Sequence, residues 1–194
     1  MVRIEPVPWD QLPEESRALL EAGAASGMYT TTLPMQVVAY SSAALEAMHS
    51  AYTATFGRGL LEPRLVELVR LRSAQAGGCA PCASSRKDDS VGEDDVACLV
   101  APDPAVFAPR EIAALRFFDQ LNADHHGIDD ETFRGLLQVF TPAEVVELGF
   151  LCGNFLGGHR FMHALDVLGD REPLVGFDAS EIDRSQATAD AGRA

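Results

Sequence analysis

Four segments of the chain open on a proline followed at once by helix-forming residues, and no segment alternates apolar and polar residues over the length of a strand. Proline fits the first turn of a helix, where its missing N–H would have had no partner, and it disrupts helix and sheet interiors. Pro13 precedes EESRALLEA, Pro63 precedes RLVELVRLRSAQA, and Pro109 precedes REIAALRFFDQLNA. Pro142 stands behind Thr141 and ahead of Glu144, which is capping-box spacing for a long helix through EVVELGFLCGNFLGGHRFMHALDVL. In the second segment Leu65, Leu68, Val69 and Leu71 recur at helical spacing and leave Glu67, Arg70 and Arg72 on other faces. Further helices are expected over residues 35–56, after a Ser90 and Glu93 capping pair, and after Asp129 as N-cap of DETFRGLLQVF. These signals predict an all-α domain over residues 1–170, with an acidic, flexible tail over 171–194.

A chain of 194 residues can bury a core without disulfides or metals to hold it. Its formal net charge of −14 argues against nucleic acid or an anionic membrane as partner. No apolar run approaches the ~20 residues needed to span a bilayer, and MVRIEPVPWDQLPEES lacks the pattern of a signal peptide. Of four cysteines, Cys98 and Cys152 stand alone. That usage suits a reducing compartment, so the expectation is a cytoplasmic protein with both isolated cysteines in the core.

The other two cysteines lie in GGCAPCASSR, residues 77–86. A C-x-x-C pair serves as a redox dithiol, as half of a metal site, or as two small packed residues. Here a helix precedes it instead of a strand, so Gly77 and Gly78 are expected to turn the chain into an αα-hairpin, with Cys79 at the entrance of the second helix. A helix N-terminus stabilises a thiolate, which favours the redox reading. Glu67 and Arg86 lie about equally far from the bend, roughly 14 Å by helical rise, and are expected to form an ion pair. Arg86, four residues after Cys82, would then share its helix face and lend it positive charge.

The run ELVRLRSAQAGGCAPC, with Glu67 twelve residues before Cys79, resembles the carboxymuconolactone decarboxylase superfamily and, within it, the alkylhydroperoxidase D (AhpD)-like branch. HGIDDETFRGLL and FTPAEVVELGFLCGNFLG resemble the helices downstream of that motif. The resemblance implies an AhpD-like helical subunit in a homo-oligomer, a trimer or a multiple of three. It implies a thiol-dependent hydroperoxide reductase without a bound cofactor or metal, with Cys82 as the attacking thiolate, Cys79 as the resolving thiol, and Glu67 and Arg86 managing protons and charge. The partners it implies are a small or organic hydroperoxide and a lipoyl or thioredoxin-type dithiol reductant. The family pattern carries a histidine in the slot of Arg86 and can carry another in that of Pro81. Arginine stays protonated and cannot relay a proton.

The alternatives are a non-catalytic or zinc-binding member of the superfamily and a decarboxylase-like lyase. His159 and His163 stand at i and i+4, as metal ligands can, or one of them replaces the missing proton carrier. His125 and His126 fall at a helix end and are expected to form a turn. Glu67 is open to a second reading, a surface glutamate paired with an arginine.

Overall fold

The computed structural model describes residues 2–57 and 59–167. Nine α-helices follow one another among these residues, with no strand: α1 (Glu14–Ala25), α2 (Leu33–Val38), α3 (Ser42–Gly57), α4 (Pro63–Gly77), α5 (Ala80–Ser84), α6 (Glu93–Cys98), α7 (Pro109–Ala123), α8 (Asp130–Leu136) and α9 (Pro142–Leu165). The expected all-α class is what the chain adopts. Residues 171–194, expected as a flexible tail, lie outside the described residues.

Three of the proline signals place their helices to the residue: α4, α7 and α9 each have proline as first residue. The capping box of α9 closes in both directions, Thr141 Oγ1 accepting from the Glu144 N–H at 3.3 Å and the Glu144 carboxylate from the Thr141 N–H at 2.7 Å. Asp129 caps α8 by accepting from the Glu131 and Thr132 N–H groups, both at 3.0 Å. Two expectations need correction. The helix over residues 35–56 is broken into α2 and α3, because Ser41 Oγ accepts the Ala44 N–H and starts a new helix. The Ser90 and Glu93 capping pair does not form: Ser90 bonds Asp88, and the Gly92 N–H at the head of α6 is taken by Asp95 at 2.9 Å.

Helix α4 is the centre of the molecule, packed against α9, α7 and α5. Val66 and Val69 join Phe118, Leu148 and Phe155 in one apolar cluster, and Leu68 and Leu71 join Leu99, Phe107 and Leu115 in a second. A third cluster gathers Leu20, Leu45 and Met162 around Cys79. The remaining face of α4, carrying Glu67, Arg70 and Ser73, is also buried. Cys152 lies in the core as expected, and burial pushes its thiol up to about 12; Cys98 is half-buried against the second cluster. No helix among the described residues is long and apolar enough to cross a membrane.

Candidate active site

The C-x-x-C segment hangs from the end of α4. Gly78, at φ 66°, takes the left-handed conformation that ends α4, one that a residue with a Cβ adopts only with strain. Gly77 faces α9 so closely that a Cβ there would lie 3.0 Å from the His159 Cβ. Cys79 then precedes α5, Pro81 is its second residue, and Cys82 its third. Cys79 and Cys82 are joined as a disulfide, with Cα atoms 5.3 Å apart. Cys79 is buried and Cys82 is half-buried. A helix of five residues has too small a dipole to govern a thiolate, so the local charge comes from side chains.

Glu67 is 1% exposed and Arg70 3%. Their pairing is bidentate: Arg70 Nε donates to Glu67 Oε2 at 2.6 Å and Nη2 to Oε1 at 2.7 Å. Arg70 Nη1 also donates to the Cys82 carbonyl at 2.6 Å and Nη2 to that of Ser85 at 2.8 Å, which satisfies acceptors at the end of α5. The Lys87 N–H completes the set, donating to Glu67 Oε1 at 2.8 Å. This network fastens the cysteine-bearing turn to the central helix.

The expected Glu67–Arg86 ion pair is therefore absent. The second arm of the hairpin is helical only to Ser84, and Ser85 is extended (φ −84°, ψ 152°), so counting helical rise out to residue 86 fails. Arg86 turns away from Glu67 to Glu93, at 2.5 Å, and binds the Ala83 and Ser85 carbonyls. It does not share the Cys82 face. The surface reading of Glu67 fails as well, since the carboxylate is enclosed.

Both cysteines line a cavity of about 390 Å³ whose walls are largely apolar, with Met28, Tyr29, Met35, Phe56, Phe155 and Met162 among them. Arg70, Lys87, His159 and His163 bring polar atoms to it, whereas Glu67 and Arg86 do not line it. Lys87 Nζ donates to Gly27 O at 2.5 Å and to Thr30 Oγ1 at 3.1 Å. Burial, with the Arg70 charge in the same sense and Glu67 opposing, holds its pKa down to about 8. Tyr29 Oη meets His49 Nδ1 at 2.9 Å, and burial raises the Tyr29 pKa. Arg70, Lys87 and the Tyr29–His49 pair were not singled out by sequence as site residues. Only Arg70 had a signal, its i,i+3 spacing from Glu67.

His159 is stacked on Phe155, centroids 5.4 Å apart, and its Nδ1 meets Ser73 Oγ at 2.9 Å. The Nδ1 of His163 meets Gly78 O at 3.0 Å. Among the described residues no three or more His, Cys, Asp or Glu side chains form a group that could hold a metal. His125 and His126 form an exposed 3₁₀ turn after α7, as expected, and do not line the cavity. Burial first, and then Arg70, hold the His159 pKa down to about 3. A histidine unprotonated in the fold but free to protonate near pH 6.5 when unfolded gives the unfolded state the extra proton between those values. Stability from this group is complete above about pH 6.5 and falls toward pH 3, by up to about 1.4 kcal/mol per pH unit. Urea titrations from pH 7 to 4 are expected to show a shallower decline in His159→Gln; an unchanged slope would refute the assignment.

Residues 42–120, which contain Glu67, both cysteines and Arg86, match the model of the carboxymuconolactone decarboxylase family. No curated protein matches the sequence. Among solved structures, an uncharacterized peroxidase-related protein from Silicibacter sp. TM1040 superposes with a TM-score of 0.68 at 18% identity, over 89% of this chain and 94% of that one. An AhpD-core, peroxidase-related protein from Ralstonia eutropha JMP134 gives 0.67 at 19% identity, over 89% and 95%. The debrominase Bmp8 in its apo form gives 0.69 at 17% identity, over 92% and 98%. At these identities the likeness is one of fold.

Proposed function

We propose, for a chain that belongs to the carboxymuconolactone decarboxylase superfamily and has the AhpD-like fold, the activity of a thiol-dependent hydroperoxide reductase. The observation that carries this reading is the Cys79–Cys82 disulfide in the wall of a largely apolar cavity that the buried Arg70 and the half-buried Lys87 also line. In the reduced protein the Cys82 thiolate attacks the distal oxygen of a hydroperoxide, forming an S–O bond as the O–O bond breaks. Cys82 becomes a sulfenic acid, and the alkoxide leaves with a proton. The Cys79 thiol then condenses with the sulfenic acid, expelling water and closing the disulfide, which an external dithiol of lipoyl or thioredoxin type reduces. The greater exposure of Cys82 suits it to the attack.

Glu67 enters as a positioning residue, because Arg70 and the Lys87 N–H already occupy its oxygens. Arg86 holds the chain beyond α5 against Glu93. The unpaired Cys98 and Cys152 favour work in the reducing cytoplasm. Self-association is supported by a stripe on α9: Val146, Phe150 and Phe161 are exposed, and Gly153 and Gly157 on the same face have open space before them; its order, a trimer or a multiple of three, is what the family resemblance implies.

The test is a thiol count on reduced protein before and after one equivalent of an organic hydroperoxide. Two of the four thiols are expected to disappear, with the Cys79–Cys82 bond found by peptide mass analysis; survival of all four would sink the reading.

A further inference from the structure

Beyond Ser84 the chain leaves helical geometry, and successive side chains fall on opposite sides: Ser85 is buried, Arg86 points to Glu93, and Lys87 lines the cavity with both cysteines. The Lys87 backbone is pinned to Glu67, which Arg70 ties to the carbonyls of Cys82 and Ser85. One network thus sets the positions of the lysine and of the Cys82 backbone. An ammonium has three protons to donate; Gly27 O and Thr30 Oγ1 take two, which leaves one for the cavity. The charged groups acting on it are Arg70 and Glu67 from α4, and the titratable side chains of His163 and Asp166 line the same cavity from the end of α9. Arg70 cannot release a proton, and His159 is buried and unprotonated at neutral pH.

We propose that Lys87 is the proton carrier of the dithiol site. This assignment rests on the reductase reading. As an ammonium Lys87 shares the cavity with the Cys82 thiolate. When that thiolate takes the distal oxygen, Lys87 passes a proton to the departing alkoxide, so that thiolate, hydroperoxide and ammonium become sulfenic acid, alcohol and amine. Reduction of the disulfide by the external dithiol returns both cysteines as thiols, and the amine takes the Cys82 proton to restore thiolate and ammonium. The cycle converts hydroperoxide and dithiol into alcohol, water and disulfide with no net change in protons. A pKa lowered to about 8 lets the amine form and recharge near neutral pH.

Two readouts on reduced Lys87→Met and Lys87→Arg test this: the pH dependence of Cys82 alkylation by iodoacetamide, and the rate of thiol loss to an organic hydroperoxide. In Lys87→Met the alkylation midpoint is expected to rise by about one pH unit or more as the thiolate loses its cation. The peroxide step should slow about a hundredfold. Lys87→Arg keeps the charge, so its alkylation profile should stay close to wild type while its peroxide step remains slow. Wild-type alkylation and peroxide profiles in Lys87→Met would overturn the proposal, and a wild-type peroxide rate in Lys87→Arg would overturn the proton transfer. If the wild type ignores hydroperoxide, the reductase reading falls, and an unshifted alkylation profile in Lys87→Met would separately remove Lys87 from the Cys82 charge.

Discussion

Cys82→Ser is expected to abolish the hydroperoxide-dependent loss of thiols, lowering its rate by at least about a thousandfold, because a serine hydroxyl supplies no usable anion at neutral pH. Cys79→Ser should behave differently. Its Cys82 still attacks, so the first turnover proceeds and one thiol is consumed, but no neighbour condenses with the sulfenic acid. That acid should accumulate, react with dimedone, and pass to the sulfinic state with excess oxidant. Steady turnover with an external dithiol is expected in neither variant. The contrast separates two sulfurs that both line the cavity: Cys79 is buried within the core cluster that holds Leu45 and Met162, whereas Cys82 is half-buried against that cluster. Equal first-turnover rates in Cys82→Ser and wild type would show that another thiol attacks. A fast first turnover in Cys82→Ser with none in Cys79→Ser would reverse the assignment.

What the sequence revealed of this site follows the range over which each feature is decided. Helix starts depend on a few adjacent residues, so Pro63, Pro109 and Thr141-Pro142 placed α4, α7 and α9 correctly. The turn at Gly77-Gly78 was legible for the same reason, since a left-handed residue ending a helix calls for glycine. Ser41 shows where such reading slipped: a helix start was present in the sequence, but the apolar spacing running through it outweighed it. The length of α5 was not legible at all. Its end is fixed by Arg70 bonding the carbonyls of Cys82 and Ser85, 12 and 15 residues away in sequence. Placing Arg86 beside Glu67 assumed a helix that continues. Once α5 stops at Ser84, residue 86 leaves the site and residue 87 enters it, so the pattern of the motif pointed one residue short of Lys87, which lines the cavity together with Arg70.

Glu67→Gln should be among the most destabilising single changes on α4, although it removes one charge and almost no volume. It leaves Arg70, 3% exposed, without its counter-charge. Breaking a buried pair in this way costs about 3–5 kcal/mol. For a domain of this size that is a fall in melting temperature of roughly 10 °C. Arg70→Met should cost a comparable amount by another route, because it strands the Glu67 carboxylate and also frees the carbonyls of Cys82 and Ser85 that Arg70 now satisfies. The double variant, with neither charge present, is expected to be more stable than the sum of the singles implies, and more stable than Arg70→Met alone. Thermal melts of the three reduced proteins give the coupling directly. Additive effects would mean that the two side chains are solvated independently, and the network that fastens the cysteine turn to α4 would lose its physical basis. A strong coupling would show that the ion pair fixes the turn from beneath, which makes Glu67 and Arg70 positioning residues for Cys82 while leaving proton transfer to a side chain that faces the cavity.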